Sequence, residues 1–129
     1  MIKLKSIIKE INESKEPVTT ISKMEELTAL QYINLVVVEE SVQDWNENKP
    51  HYLPRTTVEE VRNKIRKRRV DEGDDGKPYI CYQSLYHKNY AGTPKPISIN
   101  FIIQKDFDGK IYIYFQSIVG GGKIHKLNV

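Results

Sequence analysis

Residues 97–116 read ISINFIIQKDFDGKIYIYFQ, and the alternation within this stretch decides the fold class. Isoleucine or phenylalanine occupies every second position in each half, and the positions between them are mostly polar or tyrosine. Because successive side chains of a strand point to opposite faces, the pattern predicts two β-strands with one buried face each. Asp108-Gly109 between them favours a tight type I′ hairpin turn, since both residue types tolerate a positive φ.

Further strands are expected on both sides of this hairpin. PYICYQSLY (residues 78–86) predicts an earlier strand, joined to the hairpin by a loop over residues 87–96. Beyond the glycines at 120–122, KIHKLNV either adds a short last strand or continues without regular structure. Residues 77–129 are therefore predicted to form a three- to four-stranded antiparallel meander.

The residues before the sheet favour helices. Residues 4–11 carry an apolar stripe at helical spacing, which predicts a first amphipathic helix. Ser22 followed by Glu25 is a capping-box pattern and predicts a second, long helix that ends near Asn46. Residues 35–38, LVVV, are apolar all round and largely β-branched, so they fit either the buried centre of that helix or a core strand.

A third helix is predicted from Thr57, which opens a second capping-box pattern. This helix is expected to end in the basic run IRKRR, residues 65–69. At 100° per residue Arg62, Arg66 and Arg69 would share one helical face, an arrangement that suits phosphate groups. The alternative is an ordinary solvated helix end, whose cations complement the helix dipole.

Together these patterns predict an α+β protein with two or three N-terminal helices packed on one face of the antiparallel meander. A chain of 129 residues fits one domain, mainly helical over residues 1–70 and sheet over residues 77–129. No apolar run approaches the ~20 residues of a membrane span and no secretory signal is recognisable, so a cytoplasmic protein without membrane contact is expected. The single Cys81 agrees with a reducing compartment. The abundance of Lys, Ile, Asn and Tyr is typical of AT-rich genomes, so an accessory protein of a low-GC bacterium or its phage is one expectation.

The charges are divided unevenly along the chain. Residues 1–54 hold six lysines against nine acids, a net charge of −3. Residues 55–129 hold fourteen Lys and Arg against eight acids, a net charge of +6. A surface for anions is therefore expected in the C-terminal half.

The second face of the predicted sheet is polar and rich in tyrosine. If the isoleucines and phenylalanines point to the helices, the residues between them form the opposite face. These residues are Ser98, Asn100, Gln104, Tyr112, Tyr114 and Gln116. On the earlier strand the parity stays open, and one of two alternating sets shares this face: Ile80, Tyr82, Ser84 and Tyr86, or Tyr79, Cys81, Gln83 and Leu85.

Exposed sheet tyrosines beside Asn and Gln side chains are typical of surfaces that stack bases and read their edges. We therefore expect a small non-enzymatic binding module for a phosphate-containing ligand, either single-stranded nucleic acid or a nucleotide. The expected ligand-binding residues are Tyr112, Tyr114, Asn100, Gln104, Tyr82, Arg62, Arg66, Arg69 and Lys88, with Lys105 nearby. The same face would also suit a protein partner or a second copy of the chain, because tyrosine is enriched in interface cores.

A small metal-free ribonuclease is the alternative from another class. Cleavage of RNA without a metal requires a general base, a general acid and a cation at the phosphate, and His87, His125 and Arg55 supply these residue types. The order of helices before an antiparallel sheet resembles barnase-like small ribonucleases, a resemblance of layout that no shared motif accompanies. A nucleophile and base pair of Cys81 with His87 is a further alternative to a simply buried Cys81.

Neither a metal nor a cofactor is predicted. The histidines show no zinc-ligand spacing, and the acidic residues within 71–75 lack the alternating spacing of a calcium loop. GGGK at 120–123 has too few following residues for the helix of a phosphate loop, so it is interpreted as a flexible connection.

Overall fold

The N-terminal part of the described chain is one long helix. A computed structural model describes residues 20–72 and 75–127. The helix, α1, runs Lys23–Tyr32, continues through a π-helical turn at Ile33–Val37 and ends with Val38–Asn48. It therefore spans almost the whole range that the sequence assigned to the second helix.

A short second helix and an antiparallel sheet complete the described part of the chain. These elements are α2 Val58–Asn63, β1 Ile65–Glu72, β2 Pro78–Tyr90, β3 Thr93–Lys105, β4 Ile111–Ser117 and β5 His125–Leu127. Neighbouring strands pair antiparallel in the order β1-β2-β3-β4-β5, so the sheet is a meander. The α+β class is confirmed, with five strands instead of three or four. The helix predicted over residues 4–11 lies outside the described residues.

Local sequence explains where α1 begins and why it is continuous. The Ser22 hydroxyl accepts the N–H of Glu25 at 3.1 Å and the Glu25 carboxylate accepts the N–H of Ser22 at 2.8 Å, so the predicted capping box is formed. Residues 35–38 lie within α1, where Val37 and Val38 are fully buried. The apolar run is therefore helix and not strand, but it is buried only on the side of Val37 and Val38, because Leu35 is 73% exposed.

The helices cover one face of the sheet, and the core lies between the two layers. Alternate residues of β3 and β4 join α1 in one buried cluster: Ile97, Ile99, Phe101, Ile103, Ile111, Ile113 and Phe115. Trp45 near the end of α1 is 1% exposed and donates its indole N–H to the Pro54 carbonyl at 2.9 Å. The isoleucine alternation therefore points to the helices. We call the opposite side of the sheet the open face.

The basic run is a strand and not a helix end, which corrects the prediction for residues 62–69. α2 ends at Asn63, and the residues that follow pair with β2. A longer helix would have added only Ile65 to the buried stripe. The strand instead adds a hydrogen-bonded ladder to the edge of the sheet and sets the Lys67 ammonium 2.9 Å from the buried carboxylate of Glu26.

Two of the predicted connections also differ in the structure. The prediction of a type I′ turn at Asp108-Gly109 is wrong. The β3–β4 loop is longer than two residues, and of these two residues only Gly109 has a positive φ, 89°. The tight turn lies between β2 and β3, at Ala91 and Gly92 with φ values of 54° and 82°. Residues 87–96, predicted as a loop, extend both strands of this hairpin. The prolines in this segment are tolerated because this part of β3 pairs with β2 alone, and an edge position does not need every backbone N–H as a donor.

Gly122 lies directly against the ring of Phe115, and we expect alanine to be poorly tolerated there. A Cβ atom on Gly122 would lie 2.0 Å from Cε2 of Phe115, whose side chain is buried. Gly122→Ala is therefore expected to lower the free energy of unfolding by about 1–3 kcal/mol through overpacking, as a urea titration would measure. Gly120→Ala is the matched control, because the nearest atom to its Cβ lies at 3.4 Å. Equal stabilities of the two variants would contradict the expectation.

Candidate ligand site on the open face

The pairing of the strands fixes which residues share the open face. Tyr79 stands opposite Gln104 and Cys81 opposite Ile102, whereas Tyr82 points to the helices. The parity left open by the sequence is thereby resolved in favour of the odd-numbered residues of β2. The open face carries Tyr79, Cys81, Gln83 and Leu85 together with Ser98, Asn100, Ile102, Gln104, Tyr112, Tyr114 and Gln116.

A β-bulge in β1 brings two arginines onto the open face. Lys67 pairs with Tyr82 and Arg69 pairs with Cys81, so Arg68 is an extra residue between the two pairs. In a regular strand Arg69 would point to the helices, as Lys67 does, but the bulge turns it to the opposite side. Arg68 and Arg69 therefore both line the open face.

A concave site of about 540 Å³ occupies the middle of the open face, and we call it the central cavity. Its most buried lining residues are Cys81 and Ile102, which are 6% and 9% exposed. Around them stand two tyrosines and three amide side chains: Tyr79, Tyr114, Asn100, Gln104 and Gln116. The charged lining residues are Arg68, Arg69 and Asp75.

The charge of the central cavity is positive and partly fixed in position. The Arg69 guanidinium donates to the Tyr79 hydroxyl at 2.7 Å, which limits the conformational freedom that a ligand would have to restrict. Asp75 accepts the backbone N–H of Lys77 at 3.0 Å, and the Lys77 ammonium lies 3.8 Å from its carboxylate. Among the described side chains, two arginines therefore face one carboxylate whose charge a lysine partly compensates.

Asn100 has an unusual place in the central cavity. Its Oδ1 atom is buried and has no hydrogen-bond partner within the described ranges. A buried acceptor without a partner costs about 1–3 kcal/mol. Asn100 therefore lines the cavity with an amide whose oxygen is buried beneath the surface.

Two titratable groups of the central cavity, the Cys81 thiol and the Tyr114 hydroxyl, are held in their neutral, protonated forms. Burial raises the pKa of the Cys81 thiol, and the guanidinium groups of Arg68 and Arg69 offset this only in part. A protonated, buried thiol is a weak nucleophile. His87 lies six residues further along β2, roughly 20 Å away at 3.3 Å per residue, so the Cys81–His87 pair is not formed. Burial also raises the pKa of Tyr114, whose hydroxyl therefore remains a donor.

Tyr82 and Lys105 lie on the helix side of the sheet, which corrects the expectation that they share the polar face. The Tyr82 hydroxyl donates to the Glu26 carboxylate at 2.5 Å. The Lys105 ammonium donates to the Glu25 carboxylate at 2.9 Å. Both residues fix the start of α1 to the sheet, because their strand positions have the parity of the buried face.

Three of the predicted cations also lie outside the central cavity. Lys88 donates to a carboxylate of α2 at 3.1 Å, and Arg62 donates to a backbone carbonyl of α1. Arg66 is on the open side of β1, but its guanidinium folds back onto the carbonyl of Ile65 at 2.8 Å. The predicted basic helix does not exist, so these side chains do not converge as they would on one helical face.

The structure brings four of the nine predicted ligand-binding residues into the central cavity: Tyr114, Asn100, Gln104 and Arg69. Tyr112 lies beside them on the same face of β4. Sequence reasoning missed Arg68 and Asp75, placed Gln116 on the face without including it among the ligand-binding residues, and left Tyr79 in one of two alternatives. The alternation itself indicated Gln116, whereas the bulge that exposes Arg68 has no local signal.

The three ribonuclease candidates are not brought together. His125 is 9% exposed and lies on the helix side, with Nδ1 2.9 Å from the Tyr32 hydroxyl and Nε2 2.7 Å from a Glu40 carboxylate oxygen. His87 lies on the open face toward the far end of the β2–β3 hairpin, and Arg55 lies in the loop before α2. RNA cleavage by these residues stays a prediction.

Within residues 20–72 and 75–127, no group of three or more His, Cys, Asp or Glu side chains is arranged to hold a metal ion. In the same ranges, no helix combines the length and apolar character needed to cross a membrane. Comparison of the chain with protein-family models, curated proteins and solved structures found no match.

Proposed function

We propose that the protein is a non-enzymatic binding module whose open face takes a phosphate-containing ligand, either single-stranded nucleic acid or a nucleotide. The bulge in β1 is the observation that carries the proposal. It adds Arg68 and Arg69 to a cavity whose other lining residues are tyrosines, amides, two apolar side chains and Asp75. This combination supplies charge, aromatic surface and edge recognition in one place.

Each group in the central cavity has a role in such binding. A guanidinium presents a planar fork of N–H donors that matches the oxygens of a phosphate. The rings of Tyr79 and Tyr114 offer surfaces for bases, and one stacked base contributes about 1 to 3 kcal/mol. The amides of Asn100 and Gln104 donate and accept hydrogen bonds, as recognition of base edges requires.

The proposal is tested by fluorescence anisotropy of a labelled mixed-sequence RNA 20-mer titrated with the protein at several salt concentrations. Saturable binding that weakens steeply with salt is expected. Arginines that contact phosphates displace the cations bound to the RNA, and a high salt concentration opposes this release. The same samples are then run on a denaturing gel, where intact RNA is expected and cut RNA would favour the ribonuclease alternative. Absence of binding at low salt would contradict the proposal and favour a protein partner for the open face.

Replacing Tyr112 and Tyr114 together by alanine is expected to weaken RNA binding at least tenfold, because stacking surface is lost from the open face. Both side chains are partly exposed and point away from the core, so the fold should persist in circular dichroism spectra. The matched control replaces both residues by phenylalanine, which keeps the rings and should keep most of the affinity. Unchanged affinity of the alanine variant would exclude the tyrosines from the site.

A further inference from the structure

The central cavity continues into a recess at each of its ends. At one end Gln104 and Tyr114 also line a second recess of about 270 Å³, completed by Lys77, Asp106, Tyr112 and Ile124. We call it the aromatic recess. At the other end Asn100 and Gln116 also line a third recess of about 200 Å³, completed by Ser98, Ser117 and Ile118, which we call the serine recess. The shared residues place the three depressions next to one another along β3 and β4, and we call this row of depressions the groove.

The length of this groove exceeds what one nucleotide occupies. It runs from Ser98 in β3 to Asp106, the residue after the strand, a distance of about 26 Å at 3.3 Å per residue. A small protein fold that binds single strands typically contacts a segment of about 4 nucleotides or more. A mononucleotide would therefore fill only one part of the groove.

The charges along the groove are concentrated in its middle. Arg68, Arg69 and Asp75 belong to the central cavity, so its described lining has an excess of one positive charge. The Lys77 ammonium in the aromatic recess lies 3.1 Å from the Asp106 carboxylate, so this recess has no net charge from its lining. The serine recess is lined by uncharged side chains. The two ends are therefore suited to bases and sugars, and the middle to phosphate groups.

Each end of the groove also carries an exposed apolar side chain. Ile124 in the aromatic recess is 64% exposed, and Ile118 in the serine recess is 79% exposed. Apolar contact with a base would remove both side chains from water. Tyr112 and Tyr114 extend this apolar surface in the aromatic recess.

We infer that the ligand is a short single-stranded segment of about 4 nucleotides rather than a free nucleotide. Its phosphodiester groups lie at Arg68 and Arg69 and its bases occupy the aromatic and serine recesses. This inference rests on the proposed function, since it names the form of the phosphate-containing ligand. It assigns Ile118 and Ile124 to the binding surface.

The inference is tested by competition of unlabelled 5′-AMP and oligoadenylates of two, four and eight nucleotides against the labelled RNA 20-mer. The affinity is expected to rise at least 30-fold from AMP to the tetranucleotide, because additional bases find stacking surface. From four to eight nucleotides it should rise by no more than about fivefold, because an octanucleotide offers a four-nucleotide site about five binding registers and a tetranucleotide offers one. Ile118→Ser with Ile124→Ser should reduce the ratio of tetranucleotide to AMP affinity about tenfold, whereas Leu35→Ser, an exposed position on α1, should leave it unchanged.

The outcomes separate the inference from the proposed function. If AMP competes as well as the tetranucleotide, the groove does not bind a strand, although a phosphate ligand is retained. If affinity keeps rising steeply from four to eight nucleotides, the site is longer than the groove and the inference is also wrong. If neither AMP nor any oligonucleotide competes and the RNA 20-mer itself does not bind, the proposed function fails with it.

Discussion

Arg68→Ala combined with Arg69→Ala is expected to lower the affinity for the RNA 20-mer about 100-fold at low salt. Both guanidinium groups line the central cavity, and both are solvent-exposed. For single strands each neutralised phosphate contributes about −0.7 to the slope of log affinity against log salt concentration, so the slope should flatten by about 1.4. The fold should be retained, because neither side chain belongs to the buried cluster. Anisotropy titrations at three or more salt concentrations measure both quantities.

The matched control removes two positive charges from the same part of the chain without touching the cavity. Lys64→Ala with Arg66→Ala changes the net charge equally, but Lys64 lies before β1 and Arg66 contacts its own backbone. Less than a threefold loss of affinity is expected for this variant. An equal loss for both double variants would mean that RNA responds to the overall charge, and the site at the bulge would be abandoned.

Glu26→Ala is expected to lower the free energy of unfolding by about 3 kcal/mol at pH 7. Glu26 is 6% exposed and joins α1 to two strands, through the Tyr82 hydroxyl at 2.5 Å and the Lys67 ammonium at 2.9 Å. Its removal leaves the Tyr82 hydroxyl buried without this acceptor, whereas the half-exposed Lys67 can regain water. In a chain of this size the melting temperature should fall by roughly 10 °C. Glu39→Ala, an exposed position on the same helix, should change it little.

The contribution of Glu26 should also depend on pH with a definite sign. The hydrogen bond from Tyr82 and then the ammonium of Lys67 hold the pKa of Glu26 below its ordinary value of 4.5. A carboxyl whose pKa is lowered by folding stabilises the protein above its unfolded pKa and loses this effect as the pH falls through the folded pKa. The stability difference between wild type and Glu26→Ala should therefore shrink below about pH 4.5. A difference that stays constant from pH 7 to pH 3 would show that the carboxylate charge has no such role.

The same contact is expected to matter for ligand binding. Lys67 is the residue before the bulge, and its ion pair with Glu26 fixes β1 on the helix side of the sheet. Arg68 and Arg69 follow directly and depend on this register to reach the open face. A loss of RNA affinity in Glu26→Ala, measured under conditions where the variant is fully folded, would link the helix contact to the site.

Much of the candidate site could be predicted from alternation along β3 and β4. Asn100, Gln104, Tyr112 and Tyr114 share the open face because their parity is opposite to that of the buried isoleucines. The strand that contains Tyr82 could not be assigned in the same way, because both of its alternating sets contain tyrosine beside smaller side chains. A shift of one residue exchanges the two faces of a strand, so the wrong set placed Tyr82 in the site.

Local patterns in the sequence account for the α+β class, the capped start of α1 at Ser22, and a sheet with one apolar and one polar face. These features follow from the spacing of apolar residues, which repeats about every 3.6 residues in a helix and every 2 in a strand, and from a cap formed within four residues. All of these signals are local in the sequence. No local pattern predicts that residues 65–72 form a strand with a bulge at Arg68. That outcome depends on the ladder with β2 and on the contact between Lys67 and Glu26, which are far apart in the chain. Local helix preference is a weak term, and the pairing of distant residues overrides it.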